Sequence, residues 1–239
     1  MLRRSRWLVA LGVLAAGTGI AAGLFLVSKA PCFQLIGELA CRVETREKLV
    51  ALTFDDGPTP RGADAVLPIL ADEGVKATFF VVGQAMERHP AEVRRLVEGG
   101  HELGNHSYSH RRMLLMLPST YASEISRTDA LLRQAGEENP TLFRPPYGKR
   151  LIGLPLAVGR AGYRTITWDV GEAPETDPQA YAASIVARVR PGSIVLMHPM
   201  HDQAELMRTA LPLIVDGLRE RGYRMVTVSE LLAAGAAEA

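Results

Sequence analysis

The chain has 239 residues, of which 47% are hydrophobic and 22% are charged, and its net charge is +1. This length and composition are typical of a globular protein with one large core. Acidic and basic residues are mixed along the chain, which argues against an electrostatic nucleic-acid binder. We therefore expect no nucleic-acid partner, we expect a monomer, and we infer the function from a site and not from bulk charge.

The N-terminus has the pattern of a membrane segment. Three arginines precede an uncharged run over residues 7–27; they are Arg3, Arg4 and Arg6. A helix of this length spans roughly 30 Å, the thickness of a hydrocarbon core. We predict a cytoplasmic tip and transmembrane signal anchor over residues 1–29, with the arginines inside. A cleaved signal peptide is the alternative, although its apolar region is usually about 7–15 residues. Both interpretations place the rest of the chain in the periplasm or outside the cell, anchored or secreted.

The only two cysteines, Cys32 and Cys41, follow this segment directly. We predict a connecting hairpin over residues 30–47, with two short strands around a turn at Gly37. In an oxidising compartment a disulfide across this hairpin is plausible. Two free buried thiols are the alternative. Both cysteines lie far along the chain from the histidines and are not predicted to bind metal.

From residue 48 to residue 232, short apolar runs of β type alternate with longer amphipathic stretches. The predicted strands are 49–54, 77–82, 101–104, 142–144, 164–168, 193–197 and 224–228. The predicted helices are 63–73, 91–98, 121–135, 151–161, 178–189 and 204–221. Such alternation predicts parallel strands joined by crossover helices, and therefore an α/β barrel or a doubly wound sheet. The Ala-rich tail, residues 233–239, is predicted to be frayed.

Polar residues follow five of these strands where each strand ends. They are Asp55, Asp56, Asn105, His106, Arg144, Asp169 and His198. In barrels built from alternating strands and helices, the active site forms at the carboxyl ends of the strands. The sequence therefore predicts that these side chains gather at one rim.

Two of the clusters are suited to metal chemistry. His106 and His110 are four residues apart, and on a helical turn they would share one face. A carboxylate would complete a site with two histidines and one acid, and in the Asp55-Asp56 pair one acid can bind metal while the other acts as a base. Each motif alone is weak, because the histidines are also compatible with a surface helix and the acidic pair with a turn.

Together the motifs resemble the polysaccharide deacetylase family, the NodB-homology domain of carbohydrate esterase family 4. The motifs stand in the family's order: Thr53-Phe54-Asp55-Asp56-Gly57, His106-Ser107-Tyr108-Ser109-His110, Arg144-Pro145-Pro146-Tyr147-Gly148 and Leu196-Met197-His198. The similarity extends from about residue 48 to residue 232. It implies a distorted (β/α)7 barrel that removes N-acetyl groups from an amino sugar. The expected cofactor is one divalent metal ion, usually Zn, with Co, Mn, Ni or Fe as alternatives.

The resemblance also implies the metal ligands and the base. Asp56, His106 and His110 would hold the metal ion. Asp55 would act as general base on a water molecule, and Arg144 would hold Asp55 in place.

Three further residues have roles implied by the resemblance. The backbone N–H of Tyr147 would stabilise the oxyanion of the intermediate. His198 would protonate the departing amine. Leu196 would line the pocket for the acetyl group.

The sequence departs from the family in its fourth motif. The family usually has an Asp-Trp pair here, in which the acid tunes the catalytic histidine and the Trp forms a wall of the acetyl pocket. This chain has Trp168-Asp169 instead, so Asp169, Glu172 and Glu175 are all candidate partners of His198. We predict that Trp168 lies in the barrel core and that His201 is an exposed loop residue.

Other functions are compatible with the same residues. One is a membrane-tethered, glycan-binding pseudoenzyme that lost activity with the fourth motif. Another is a deacetylase or deformylase of a lipid-linked sugar. A non-haem iron oxygenase also uses two histidines and a carboxylate, but the usual close His-x-Asp/Glu pair is absent. The substrate class includes peptidoglycan, chitin-like glycans and poly-N-acetylglucosamine, and O-acetyl glycans such as xylan also fit.

Overall fold

A computed structural model of the protein describes residues 16–19 and 22–238. Residues 16–19 and 22–29 are helical. Among the described residues, no helix has both the length and the apolar character needed to cross a membrane. The anchor predicted over residues 1–29 falls mostly on positions outside the described ones.

Eight parallel strands form one sheet in the described part of the chain. Their bounds are β1 Leu39–Ala40, β2 Leu49–Gly57, β3 Thr78–Val81, β4 Glu102–Asn105, β5 Leu142–Phe143, β6 Arg164–Ile166, β7 Ser193–Met197 and β8 Arg224–Val226. The strand order is β1-β6-β5-β4-β3-β2-β7, and β8 pairs with the first half of β2. All seven predicted strands are therefore present, and the α/β class with a parallel sheet is confirmed.

A bridge after β6 connects that part of the chain to β7, at the other edge of the sheet. Val170, which follows β6 in the chain, forms an isolated parallel bridge with Val195 of β7. The N–H of Leu196 donates to the carbonyl of Val170 at 2.9 Å. The strand ends are thereby arranged around a common rim.

Helices follow most of the strands. Their bounds are Pro60–Asp72, Gly83–Arg88, Pro90–Glu98, Pro118–Gln134, Gly153–Arg160, Pro178–Arg188, Glu205–Glu220 and Val228–Glu238, with a short 3-10 turn at Pro146–Gly148. Six of them match the predicted helices to within a few residues. The sequence pattern missed Gly83–Arg88, which is short, and Val228–Glu238.

Strand β2 is buried on both faces. Val50, Leu52 and Phe54 pack into one hydrophobic cluster, whereas Leu49 and Ala51 pack into a second one. This division follows the two-residue period of a strand, and burial on both faces is typical of a central parallel strand. Because β2 is fixed from both sides, the acidic residues at its end have little freedom to move.

The turn after β2 is fastened to the loop after β7. Thr59 caps the helix Pro60–Asp72 by accepting from Gly62 N at 3.0 Å, and its hydroxyl donates to the carbonyl of Met200 at 2.6 Å. A Cβ at Gly62 would lie 2.7 Å from the Met200 backbone, so only glycine permits this approach. The close packing places the two loops side by side at the rim.

The prediction of a hairpin over residues 30–47 is wrong, although the two cysteines do form a disulfide. Only Leu39–Ala40 is a strand, and it pairs in parallel with β6, not with a strand of its own segment. The sequence could not show this, because the partner lies more than 120 residues further along the chain. The segment is thus part of the domain and not a separate connection.

The prediction of a frayed tail is also wrong, since the helix Val228–Glu238 continues through it. Glu238 accepts from the Thr45 hydroxyl at 2.8 Å and from Arg46 N at 2.9 Å. Contacts with the segment before β2 therefore order a sequence that has no strong amphipathic pattern of its own.

Candidate active site

The site begins at an irregularity in β2. In a regular strand, the consecutive residues Asp55 and Asp56 would point to opposite faces. Here the pairing with β3 shifts between Asp55 and Gly57, and Asp56 has a φ of 68°. This bulge turns both carboxylates toward His106, whose Nε2 lies 3.7 Å from Asp55 Oδ2 and 3.4 Å from Asp56 Oδ1.

The segment that carries His106 and His110 is a loop after β4, so the prediction of a helical turn is wrong. Ser107 and His110 have positive φ values of 63° and 53°. Glu124 fixes the loop, because its carboxylate accepts hydrogen bonds from the backbone N–H groups of Tyr108 at 3.1 Å and Ser109 at 2.8 Å. The two imidazoles nevertheless lie close together, with ring centroids 5.0 Å apart.

Asp56, His106 and His110 form a group with the geometry of a metal site. Their nearest ligand atoms all lie within 4.8 Å of one another. Asp56 Oδ1 is 2.9 Å from His110 Nε2, yet this buried oxygen has no hydrogen-bond partner among the described residues. Two imidazole nitrogens and a carboxylate oxygen that face one another without hydrogen bonds suit a divalent cation such as zinc.

Surrounding contacts prepare these ligands to bind a cation. His106 Nδ1 lies 2.8 Å from the carbonyl of Arg144. A carbonyl can only accept, so Nδ1 carries the proton and Nε2 presents its lone pair to the site. Burial raises the pKa of Asp56, but the adjacent imidazoles of His106 and His110 outweigh that effect and hold the pKa well below its usual range. Asp56 is therefore ionised.

Arg144 is fully buried and holds Asp55. Its Nη1 donates to Asp55 Oδ1 at 2.7 Å and to the Thr53 hydroxyl at 2.7 Å, and its Nη2 donates to the carbonyl of Thr167 at 3.0 Å. Burial lowers the pKa of Arg144, while the charge of Asp55 and its hydrogen bond oppose that effect. The pair fixes the orientation of Asp55 and leaves its Oδ2 directed toward the histidines.

Glu172 is the partner of His198. His198 Nδ1 lies 2.6 Å from Glu172 Oε1. Asp169, the nearest sequence equivalent of the family acid, instead accepts from the Ser193 hydroxyl at 2.9 Å and from Ile194 N at 3.0 Å. Asp169 thus stabilises the start of β7, and of the three candidates Glu172 is the one that contacts His198.

The surroundings of His198 favour its protonated form. Burial lowers the pKa of His198, but the hydrogen bond to Glu172 and the charges of Asp55, Glu172 and Asp56 together raise it above its ordinary value. Because Nδ1 donates to Glu172, Nε2 is the nitrogen that faces the site, 3.7 Å from Asp56 Oδ2.

These residues surround one cavity of about 530 Å³. Trp168, Leu196 and Met207 form its apolar wall, and Tyr147 and His110 stand at one side with ring centroids 4.7 Å apart. The prediction that Trp168 lies in the barrel core is confirmed in part, because its side chain packs against a core cluster. The same side chain also lines the cavity.

His201 was predicted to be an exposed loop residue, and the structure brings it into the site. Its Nε2 lies 2.7 Å from Asp56 Oδ2, the carboxylate oxygen that faces away from His110. Arg208 Nε donates to the carbonyl of Pro199 at 2.9 Å and holds this loop in place. The spacing His-Pro-Met-His after β7 was the one sequence signal that could have identified His201.

Comparison with known proteins identifies polysaccharide deacetylases as relatives of this chain. The family profile described as polysaccharide deacetylase matches residues 42–166. The peptidoglycan-N-acetylglucosamine deacetylase of Bacillus cereus is 34% identical over 204 residues, which cover 82% of this chain and 93% of that protein.

Solved structures are similar as well. A family 4 acetyl xylan esterase from Clostridium thermocellum, in complex with a cobalt ion, is 36% identical with a TM-score of 0.70 and covers 78% of this chain and 91% of its own. A CE4 family pseudoenzyme from Bacillus anthracis is 26% identical with a TM-score of 0.76, covering 84% of this chain and 70% of its own.

Proposed function

The chain belongs to the polysaccharide deacetylase family, and from this premise we propose that it hydrolyses the N-acetyl group of an amino-sugar glycan in the cavity beside Asp55 and His198. The observation that carries the proposal is the pairing of two oriented groups around a metal-binding triad. Asp55 is held by a buried arginine, and His198 is held by a carboxylate.

We propose zinc as the metal, with Asp56, His106 and His110 as its ligands. The unpartnered Asp56 oxygen and the two imidazole nitrogens beside it support this assignment. A cobalt ion in the related esterase keeps Co and the other divalent metals Mn, Ni and Fe open. When bound, the cation would lower the pKa of a water molecule and polarise the acetyl carbonyl.

Asp55 would accept the proton of the attacking water. Its Oδ1 is occupied by Arg144, so Oδ2 is the oxygen available as a base. The buried guanidinium prevents the carboxylate from turning away. Asp55 and Asp56 would thus divide the work of base and ligand.

His198 would donate a proton from Nε2 to the departing amine. Glu172 holds Nδ1, which leaves Nε2 directed to the cavity and favours the imidazolium needed at that step. The backbone N–H of Tyr147 would stabilise the oxyanion, and Leu196 with Trp168 would enclose the acetyl methyl group.

The relatives support an amino-sugar substrate. The Bacillus cereus relative carries the name of a peptidoglycan-N-acetylglucosamine deacetylase, and a relative from Bradyrhizobium carries the name of a chitooligosaccharide deacetylase. The pseudoenzyme alternative is disfavoured because this chain retains the triad, the base with its arginine, and a histidine with a carboxylate partner. Trp168, which lines the cavity, and Glu172, which contacts His198, would take the roles of the Trp and the acid of the family's fourth motif.

We further propose that residues 1–29 anchor the protein in a membrane and that the catalytic domain lies outside the cytoplasm, in the periplasm or beyond, as a (β/α)7-type barrel. The uncharged run over residues 7–27 and the preceding arginines support the anchor. The Cys32–Cys41 disulfide supports an oxidising compartment.

The test is acetate release from N-acetylated chitooligosaccharides and peptidoglycan fragments by the zinc-loaded protein and by Asp55→Asn. The variant should keep its zinc while kcat/KM falls by about 10²–10⁴, because it lacks the base. An exposed acid at the same rim provides the matched control, Asp202→Asn, which should remain active. Failure of the zinc-bound wild type to release acetate from any acetylated glycan would contradict the proposal.

A further inference from the structure

The loop that follows His110 exposes large apolar side chains beside the cavity mouth. Residues 111–117 have the sequence Arg-Arg-Met-Leu-Leu-Met-Leu. Met113 is completely buried and fixes the loop to the core, whereas Leu115 is 93% exposed and Leu117 is 71% exposed. A cluster of apolar side chains pointing into solvent is typical of an interaction surface.

A second loop extends the same surface. Ile152 is half exposed, and it precedes Gly153, where a Cβ would lie 2.7 Å from the Tyr121 ring. The Tyr121 hydroxyl in turn accepts from Met116 N at 3.0 Å. The segments 111–117 and 147–153 are therefore neighbours, and we call Leu115, Leu117 and Ile152 the apolar rim.

Basic side chains accompany the apolar rim. The guanidinium of Arg112 lies 5.2 Å from the ring centre of Tyr147 at the cavity mouth. Lys29 and Lys149 lie over the ring of Phe25, at 5.0 and 4.3 Å. The pKa of Lys149 is lowered, first by burial and then by the like charges of Lys29 and Arg112, which indicates that the positive charges face one another across a small area.

The N-terminal segment is fastened to this part of the rim. The N–H of Arg150 donates to the carbonyl of Ser28 at 3.0 Å. The buried Arg150 side chain donates to the carbonyls of Ala30, Pro31 and Phe33 at 2.7, 2.9 and 3.0 Å. These contacts hold the end of the helical residues 22–29 close to the cavity mouth.

We propose that the apolar rim and its cations dock on the surface of an anionic phospholipid bilayer, so that the cavity mouth opens at the level of the headgroups. Exposed leucines flanked by lysine and arginine match the apolar and anionic layers of such a surface. Residues 22–27, the last part of the uncharged run, are helical, and the chain meets this face directly after them, at Ser28. The consequence that the acetylated sugar is offered near the membrane rests on the proposed function.

The proposal is tested by lipid quenching in the full-length chain. Both native cysteines are paired, so an introduced cysteine is the single reactive thiol. Leu115→Cys and, as a control, Asp72→Cys are labelled with an environment-sensitive fluorophore and reconstituted in phosphatidylglycerol–phosphatidylcholine vesicles that contain a nitroxide lipid. Asp72 ends the helix Pro60–Asp72 and lies at the opposite end of the barrel.

Quenching is expected at position 115 and not at position 72. It should weaken when phosphatidylcholine replaces phosphatidylglycerol, and this lipid dependence should be lost in Arg112→Gln/Lys149→Gln. Equal quenching at the two positions would overturn the proposal. A second result would also overturn it: in the absence of lipid, the fluorophore at position 115 becomes more shielded from solvent as the protein concentration rises. A second copy of the chain would then cover the apolar rim.

Activity separates this proposal from the catalytic one. Leu115→Asp should abolish the lipid quenching of a label placed at Leu117→Cys, while acetate release from a soluble chitooligosaccharide is unchanged. Quenching that persists in Leu115→Asp would argue against the docking surface. If the wild type releases no acetate, the proposed function is refuted, but the quenching result still stands.

Discussion

Glu172 should set the alkaline limit of activity through His198. His198 must be protonated to act as the general acid. The value of kcat/KM is therefore retained below the pKa of His198 and lost as the pH rises through that pKa. The surroundings raise this pKa, with Glu172 as the nearest favourable group at 2.6 Å. Glu172→Gln removes the charge but keeps an oxygen of similar position, and it should therefore move the alkaline limb to lower pH.

The size of the shift follows from the exposure of the pair. An opposite charge at contact distance shifts a pKa by about 1–3 units. The side chains of His198 and Glu172 are 29% and 35% exposed, so water screens part of the interaction. We therefore expect a modest displacement of the alkaline limb, seen as about a tenfold loss of kcat/KM above the new limit.

The assay is acetate release from a soluble N-acetylated oligosaccharide across pH, with the zinc content of each variant measured in parallel. Asp202→Asn removes one exposed negative charge from the same rim without touching His198, so its alkaline limb should move by much less. An unchanged limb in Glu172→Gln, or an equal displacement in Asp202→Asn, would refute the assignment of Glu172 as the positioning residue for His198.

Two further predictions concern metal affinity and stability. His201→Ala removes the hydrogen bond to Asp56 Oδ2 and should weaken zinc binding by about 10–100-fold in a competition titration with a chromophoric chelator; affinity equal to that of the wild type would show that His201 does not support the ligand. Replacement of Cys32 and Cys41 by serine opens a loop with a sequence separation of 9 and should lower the free energy of unfolding by about 2–3 kcal/mol in denaturant melts. A midpoint unchanged from the wild type would contradict this second expectation.

The sequence alone was sufficient for the order of seven strands and six helices and for the rim. The periodicity of apolar residues identified all seven strands of the predicted domain, because strand and helix periods are local properties that each segment carries by itself. The position of Asp55, His106, Arg144 and His198 after their strands then predicted a common edge. Parallel strands can only bring such residues together at one end of a sheet.

Backbone irregularities were decided by tertiary structure. A two-residue period would separate Asp55 from Asp56, and only the bulge against β3 brings them to one side. The loop that carries His106 and His110 is likewise held by Glu124, which no local pattern connects to it. Conformations with positive φ are maintained by such distant contacts, so local sequence does not reveal them.

The choice of partner for His198 was decided in the same way. Asp169, Glu172 and Glu175 are all close to Trp168 along the chain, and sequence could not rank them. The start of β7 binds Asp169 through Ser193, which leaves Glu172 to meet His198. Residue types and local periods define which elements form and which chemistry is available. Which carboxylate contacts which histidine depends on packing between residues far apart in the chain. Only the folded structure determines that packing.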